Sequence, residues 1–240
     1  DRAQTCGTPF MGSRHIQQSR KAARRQVKDE SMEYILHIRN VSKHFKGLKA
    51  VENVSFSVKR GEIVGLIGPN GAGKTTLFNL IAGFSSVTKG TILFKEIDIT
   101  HLAPFDICKL GITRTFQIAQ PLLHLSVLDN VMVGALYGSK GIKNIKKARE
   151  KSLEILEFVG MLRRKDDLAG SLGTAGRKRL ELARALATSP EILLLDEVMA
   201  GLIPSEVEEC IQIVKKINEL GITVIMVEHM MHAVMSVSQR

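Results

Sequence analysis

Hydrophobic positions along the chain recur with two different periods. Three short stretches are apolar at nearly every position: "EIVGLIG" (62–68), "ILLLDE" (192–197) and "TVIMVEH" (223–229). Runs of that kind predict strands buried on both faces. From Tyr34 to Val58 the pattern is strand-like, and Val54, Phe56 and Val58 alternate before "KRG", a turn. The period changes over 144–160, where Ile145, Ala148, Leu153, Leu156 and Val159 form the stripe of a helix. A second helix reads from Arg177 onward, with Leu180, Ala183 and Leu186 on one side. Strands alternating with helices imply an α/β fold with a mostly parallel sheet covered on both faces. In such a sheet the functional edge lies at the C-terminal ends of the strands.

Residues 1–31 do not share this patterning. They are polar and basic, with Arg20, Lys21, Arg24 and Arg25 clustered, and predict a disordered tail. The chain does not begin with Met, and Met32 stands just before the first strand-like run, so the tail reads as upstream read-through or added sequence. Hydrophobic residues make up 44% of the chain with no Trp, which gives an aliphatic core. The formal charge of +10 points to an anionic partner, whether nucleotide, nucleic acid or lipid surface. Cys6, Cys108 and Cys210 are too scattered for a disulfide framework or a metal motif, which fits a reducing cytosol. No apolar run approaches the ~18 to 20 residues of a membrane span, and no signal-peptide stretch is seen. The expectation is a soluble chain able to dock on a membrane protein.

The run at 62–68 leads directly into "GPNGAGKTT", comprising Gly68, Pro69, Asn70, Gly71, Ala72, Gly73, Lys74, Thr75 and Thr76. The glycines let the backbone curl so that N–H groups face phosphate oxygens, and the next helix adds its positive end. Lys74 is placed to reach the terminal phosphates and Thr75 to ligate Mg²⁺. The run at 192–197 delivers Asp196 and Glu197 at a strand tip. Adjacent carboxylates repel unless a cation or proton is shared, which Asp196 on Mg²⁺ and Glu197 on a water would resolve. His229 ends the third run and on its own reads as a structural or surface residue. Its spacing to His232 invites a metal reading, but no Cys or third His lies near in sequence.

One stretch poses a problem. In "SLGTAGRKRLELARAL" (171–186) the helix reading begins with Arg177, Lys178 and Arg179, although a helix N-terminus favours acidic side chains. Those cations anticipate an anion.

Taken in order over residues 33–240, these motifs resemble the nucleotide-binding subunit of ABC transporters. The resemblance implies a P-loop ATPase core, an N-terminal antiparallel β subdomain and an inserted helical subdomain at about 117–185, within one domain spanning 32–240. It makes Gly68 to Thr76 the Walker A loop, Ile192 to Glu197 the Walker B strand with its catalytic glutamate, and His229 the switch histidine. Gln117 in "TRTFQ" is similar to the glutamine that touches Mg²⁺ and the attacking water. Phe45 stands where the family stacks an aromatic on adenine, and is assigned to the nucleotide site on that likeness, with a strand core residue as the alternative. Residues 172–181 take the signature position, so Gly173, Thr174, Ala175 and Gly176 would cap ATP held by a partner subunit, and the cations would face that partner's triphosphate. "GITRTFQIAQPLLHLSVLDNVMVGA" resembles most the LivG-type ATPases of branched-chain amino acid importers. The implied function is MgATP-driven dimer closure, homo- or heterodimeric, that powers permease subunits from the cytoplasmic face of the cell membrane, with no contact to the solute.

Departures from the family pattern accompany the likeness. The usual L-S-G-G-Q is replaced by Leu172-Gly173-Thr174-Ala175-Gly176, which lacks the serine hydroxyl, and Ile203 stands where the family has Asp or Asn. The chain stops at Arg240, where family members continue, which predicts a sheet missing its last strands, lowered stability and an open apolar edge. Two other readings stand beside transport. One is a soluble ABC ATPase acting on nucleic acid, for which 240 residues leave no room for tandem domains. The other is a non-catalytic nucleotide-binding module.

Overall fold

The computed structural model describes residues 33–117 and 119–240; the tail expectation for 1–31 lies outside them. Two strands open the fold, β1 (Tyr34–Phe45) and β2 (Leu48–Lys59), paired antiparallel. The two residues between them, Lys46 and Gly47, both take positive φ (42° and 96°), the geometry a tight hairpin turn demands. With β4 (Lys89–Phe94) and β5 (Ile97–Asp98) they form an antiparallel sheet of order β2-β1-β4-β5. The second sheet is parallel, of order β3-β8-β7-β6, from β3 (Ile63–Leu66), β6 (Ile112–Arg114), β7 (Ile192–Asp196) and β8 (Thr223–Val227). The predicted strands and the α/β class are therefore found, with strand 62–68 shortened because Ile67 has turned out to solvent.

Seven helices connect and cover these strands among the described residues: α1 (Lys74–Ile81), α2 (Pro104–Leu110), α3 (Val127–Tyr137), α4 (Ile145–Phe158), α5 (Thr174–Ala187), α6 (Pro204–Glu219) and α7 (Met231–Val237). The unbroken apolar run of β7 feeds two cores. Ile192 and Leu194 join α1 and the antiparallel sheet on one side, whereas Leu193 and Leu195 join a cluster with α3, α4, α5 and α6 on the other. That double burial is why β7 and β8 show no alternation in sequence.

Three expectations need correction. Ile145 is the first residue of α4 and is 68% exposed, because the first turn overhangs the core; the buried face runs through Ala148, Ser152, Ile155 and Leu156. Helix α5 starts at Thr174 with Gly173 as its N-cap, so Arg177 to Arg179 are not its first turn. The outer edge of β3 is not open: Gln239 N donates to Ile63 O at 2.9 Å, and Gly65 N donates to Arg240 O at 2.8 Å.

Candidate functional site

Beyond β3 the chain turns through Gly68, Gly71 and Gly73, with φ of 157°, 81° and 84°. At Gly73 only glycine fits, since a Cβ there would lie 2.2 Å from the Ala50 carbonyl oxygen on β2. The antiparallel sheet thus braces the loop from behind. Gly73 caps α1 without a side-chain hydrogen bond, which leaves the first N–H groups of that helix turned toward whatever anion enters. Lys74 Nζ donates to the carbonyls of Gly68 (2.7 Å) and Pro69 (2.9 Å), so the ammonium is held at the mouth of the loop by the loop itself.

A cavity of about 340 Å³ opens there, lined by residues 70–76 together with Phe45, Glu197 and His229. Phe45 is 46% exposed at its rim, which corrects the reading of it as a strand core residue. A larger hollow of about 740 Å³ lies at the other end of the parallel strands, beside Ser189, Pro190 and Glu191. The glycine loop, the helix N-terminus and the Glu197 carboxylate meet at the smaller one, which makes it the candidate site.

The carboxylates arrive from β7, whose pairing with β8 sets Asp196 opposite Val227 and brings His229 alongside. Glu197 holds φ of 50°, an uncommon conformation for a residue with a side chain. Hydrogen bonds to its backbone keep it there: Glu197 N donates to Val227 O at 2.9 Å, and Glu197 O accepts from Lys178 Nζ at 2.6 Å and from Ala200 N at 3.2 Å. Both carboxylate oxygens are engaged. Gln117 Nε2 donates to Oε2 at 2.8 Å, and His229 Nε2 lies 2.7 Å from Oε1. Three residues chosen from separate sequence motifs therefore form one cluster.

Asp196 is fully buried, with Oδ2 accepting from Arg114 Nη2 at 2.7 Å. Burial pushes its carboxyl above the ordinary range; the Arg114 guanidinium pulls the other way without winning, and the neighbouring Glu197 adds to the rise. Oδ1 is buried and has no hydrogen-bond partner among the described residues. A buried, unpaired carboxylate oxygen beside the Lys74 loop is the donor type that a hard divalent cation takes. His232 is exposed on α7 and takes no part in this cluster.

The segment at 171–179 is arranged differently from expectation. Arg177 donates back to Leu172 O (2.8 Å) and Gly170 O (3.0 Å), Lys178 is bound to Glu197 O, and Arg179 pairs with Glu209 on α6. Within the single chain the cations answer carbonyls and a carboxylate of their own chain. Gly173, Thr174, Ala175 and Gly176 do not line the cavity. Nothing lies within 4 Å of a Cβ built on Gly173, so the position has room for a side chain.

Sequence reasoning missed Arg114, Asn79, Glu181 and Glu228, and it singled out Lys178 without its bond to Glu197 O. Glu181 on α5 accepts from Phe116 N at 2.8 Å, and Glu228 accepts from Met199 N at 2.9 Å. Burial raises both carboxyls above their ordinary range, and for each a backbone N–H partly offsets it. A carboxyl whose folded pKa is raised costs stability above its unfolded pKa and stops doing so as pH falls below it. Glu228→Gln keeps an acceptor for Met199 and removes the charge. It is expected to raise the melting temperature at pH 8, by about 2–4 °C for each kcal/mol recovered, with the gap closing as pH drops toward 4.5; a thermal melt series across pH checks this.

Similarity to known proteins follows the same residues. The family model described as ABC transporter matches residues 51–200. A protein of Methanocaldococcus jannaschii named "Probable branched-chain amino acid transport ATP-binding protein LivG" is 36% identical over 212 residues, covering 84% of this chain and 82% of the relative. The crystal structure of a nucleotide-free ATP-binding cassette from an ABC transporter superposes with a TM-score of 0.78 at 34% identity, over 85% of each chain. A dimeric ATP-binding cassette in a post-hydrolysis state bound to ADP and Pi gives 0.77 at 28% identity, over 84% of this chain and 91% of that one.

Proposed function

Since the chain belongs to the ABC transporter family of ATP-binding subunits and is an ABC-type ATPase, we propose that it binds and hydrolyses MgATP to drive an importer of branched-chain or other hydrophobic amino acids. The observation that carries the reading is the convergence, around one cavity, of the Gly68–Thr76 loop with Glu197 and His229. Gly71, Ala72, Gly73, Lys74, Thr75 and Thr76 would hold the phosphates through backbone N–H groups, with Phe45 at the adenine end. Thr75, Asp196 and Gln117 would hold Mg²⁺, and the unpaired Asp196 Oδ1 supports that assignment. Bound there, the ion would neutralise charge developing on the phosphoryl oxygens.

Glu197 is the base. In the structure each of its oxygens holds one partner, Gln117 and His229; as those two donors turn toward the nucleotide, the carboxylate is freed to take a proton from the attacking water. The N-terminus of α5, at Gly173 to Gly176, would close over nucleotide on a second ATPase subunit, and residues 117–185 would act as a subdomain passing the motion to permease subunits. No helix among the described residues is long and apolar enough to cross a membrane, consistent with a peripheral place on the cytoplasmic face of the cell membrane. Purified protein, folded by circular dichroism, is expected to take up a fluorescent ATP analogue with Mg²⁺ and to lose it with EDTA or with Lys74→Ala. Magnesium-independent or absent uptake would sink the proposal.

A further inference from the structure

Arg114 ends β6, beside the Walker B strand, and its side chain is only 5% exposed against a fully buried Asp196. All three of its nitrogens are committed. Nη2 donates to Asp196 Oδ2 at 2.7 Å, Nη1 donates to Asn79 Oδ1 on α1, and Nε donates to Thr115 O at 3.2 Å. Phenylalanine rings surround it: the centroids of Phe78, Phe84 and Phe116 lie 5.9, 5.9 and 5.2 Å from its central carbon. Phe84 and Phe116 in turn meet edge to face at 5.4 Å. A guanidinium held at its edges and by its neighbouring rings cannot swing without breaking contacts to several elements.

The usual arginine–carboxylate pair is a two-armed fork that occupies both oxygens. Here the second arm goes to Asn79 instead, and Asp196 Oδ1 stays free. From this we infer that Arg114 is a positioning residue for hydrolysis: clamped by Asn79 and the three phenylalanines, it fixes Asp196 in the orientation that offers Oδ1 to the magnesium shell. The same side chain links the P-loop helix, through Asn79 and Phe78, to the start of the Gln117 segment, through Phe116. Metal position and Gln117 position are thus set by one rigid group.

The inference rests on the MgATP reading, and its test separates the two. The full chain, stripped with EDTA, is titrated with Mg²⁺ in the presence of a fluorescent ATP analogue, and melting temperature is recorded without nucleotide. Arg114→Lys keeps the charge and loses the fork; its half-saturating Mg²⁺ is expected to rise about tenfold or more, the usual cost of removing a group that orients a metal ligand. Asn79→Ala leaves the ion pair intact but releases the clamp, and should raise it by roughly two- to tenfold, the worth of one hydrogen bond. If Arg114→Lys does not fold, Asn79→Ala decides alone. A purely structural role lowers the melting temperature and leaves half-saturating Mg²⁺ unchanged, and that result overturns the inference. Wild-type protein that binds nucleotide without regard to Mg²⁺ removes the MgATP reading itself.

Discussion

Glu197→Gln is expected to slow ATP hydrolysis by about 10² to 10⁴-fold, the range of a lost general base, while MgATP stays bound and the protein stays folded. Gln is nearly isosteric and accepts φ of 50° no worse than Glu does, so the bonds from Glu197 N to Val227 O and from Lys178 to Glu197 O survive. What it loses is basicity. An amide presents one acceptor and one donor where the carboxylate presents two acceptors, so it cannot serve Gln117 Nε2 and a protonated His229 Nε2 at once. His229 must then switch tautomer or swing away, but neither change restores a proton acceptor for water. Phosphate release under saturating MgATP measures the rate, and retention of nucleotide through gel filtration measures the trapped state. Wild-type turnover in the variant would take Glu197 out of the role.

Such a result would test a part of the site that could be read before any fold was known. The Gly68–Thr76 loop announces itself because its chemistry is contiguous: glycines, lysine and threonine must follow one another for a single turn to bind phosphate. The strands under Asp196 and His229 are equally visible, since burial on both faces leaves four consecutive apolar residues in each of β7 (Ile192 to Leu195) and β8 (Val224 to Val227). Gln117 and His229 needed family likeness, because nothing local tells that two residues 112 positions apart meet one carboxylate. Arg114 stood inside the very stretch quoted for Gln117, yet its partners Asn79 and Asp196 lie 35 and 82 residues away. The start of α5 was misplaced for a local reason. Thr174 and Gly176 are weak helix formers, so the pattern favours a start at Arg177, whereas tertiary packing of Leu172, Leu180 and Ala183 extends the helix backward. That shift also makes the cations second-turn residues, each with a partner in its own chain.

With the cations accounted for, the weakness of the Leu172 to Gly176 segment becomes a prediction about asymmetry. In an assembled pair, this chain's nucleotide would meet the partner's α5-like helix, and the partner's nucleotide would meet this chain's. Gly173 supplies no hydroxyl, and a lost charge-assisted hydrogen bond is worth roughly 1.5 to 3 kcal/mol, about one to two decades in an equilibrium constant. Hydrolysis should therefore run mainly at this chain's loop. With a partner whose own signature is intact, Lys74→Ala here is expected to cut ATPase by about two orders of magnitude, since the ammonium makes bonds of that same class to the terminal phosphates. Removing the partner's matching lysine should change the rate little. Gly173→Ser supplies the converse: φ of −69° suits any residue and the space beyond Cβ is open, so the serine is accommodated and also caps α5. Introduced into the Lys74→Ala pair, it should restore measurable turnover at the partner's site. Equal losses from either lysine, with no gain from the serine, would mean that Gly173 to Gly176 cap nucleotide through backbone N–H groups alone.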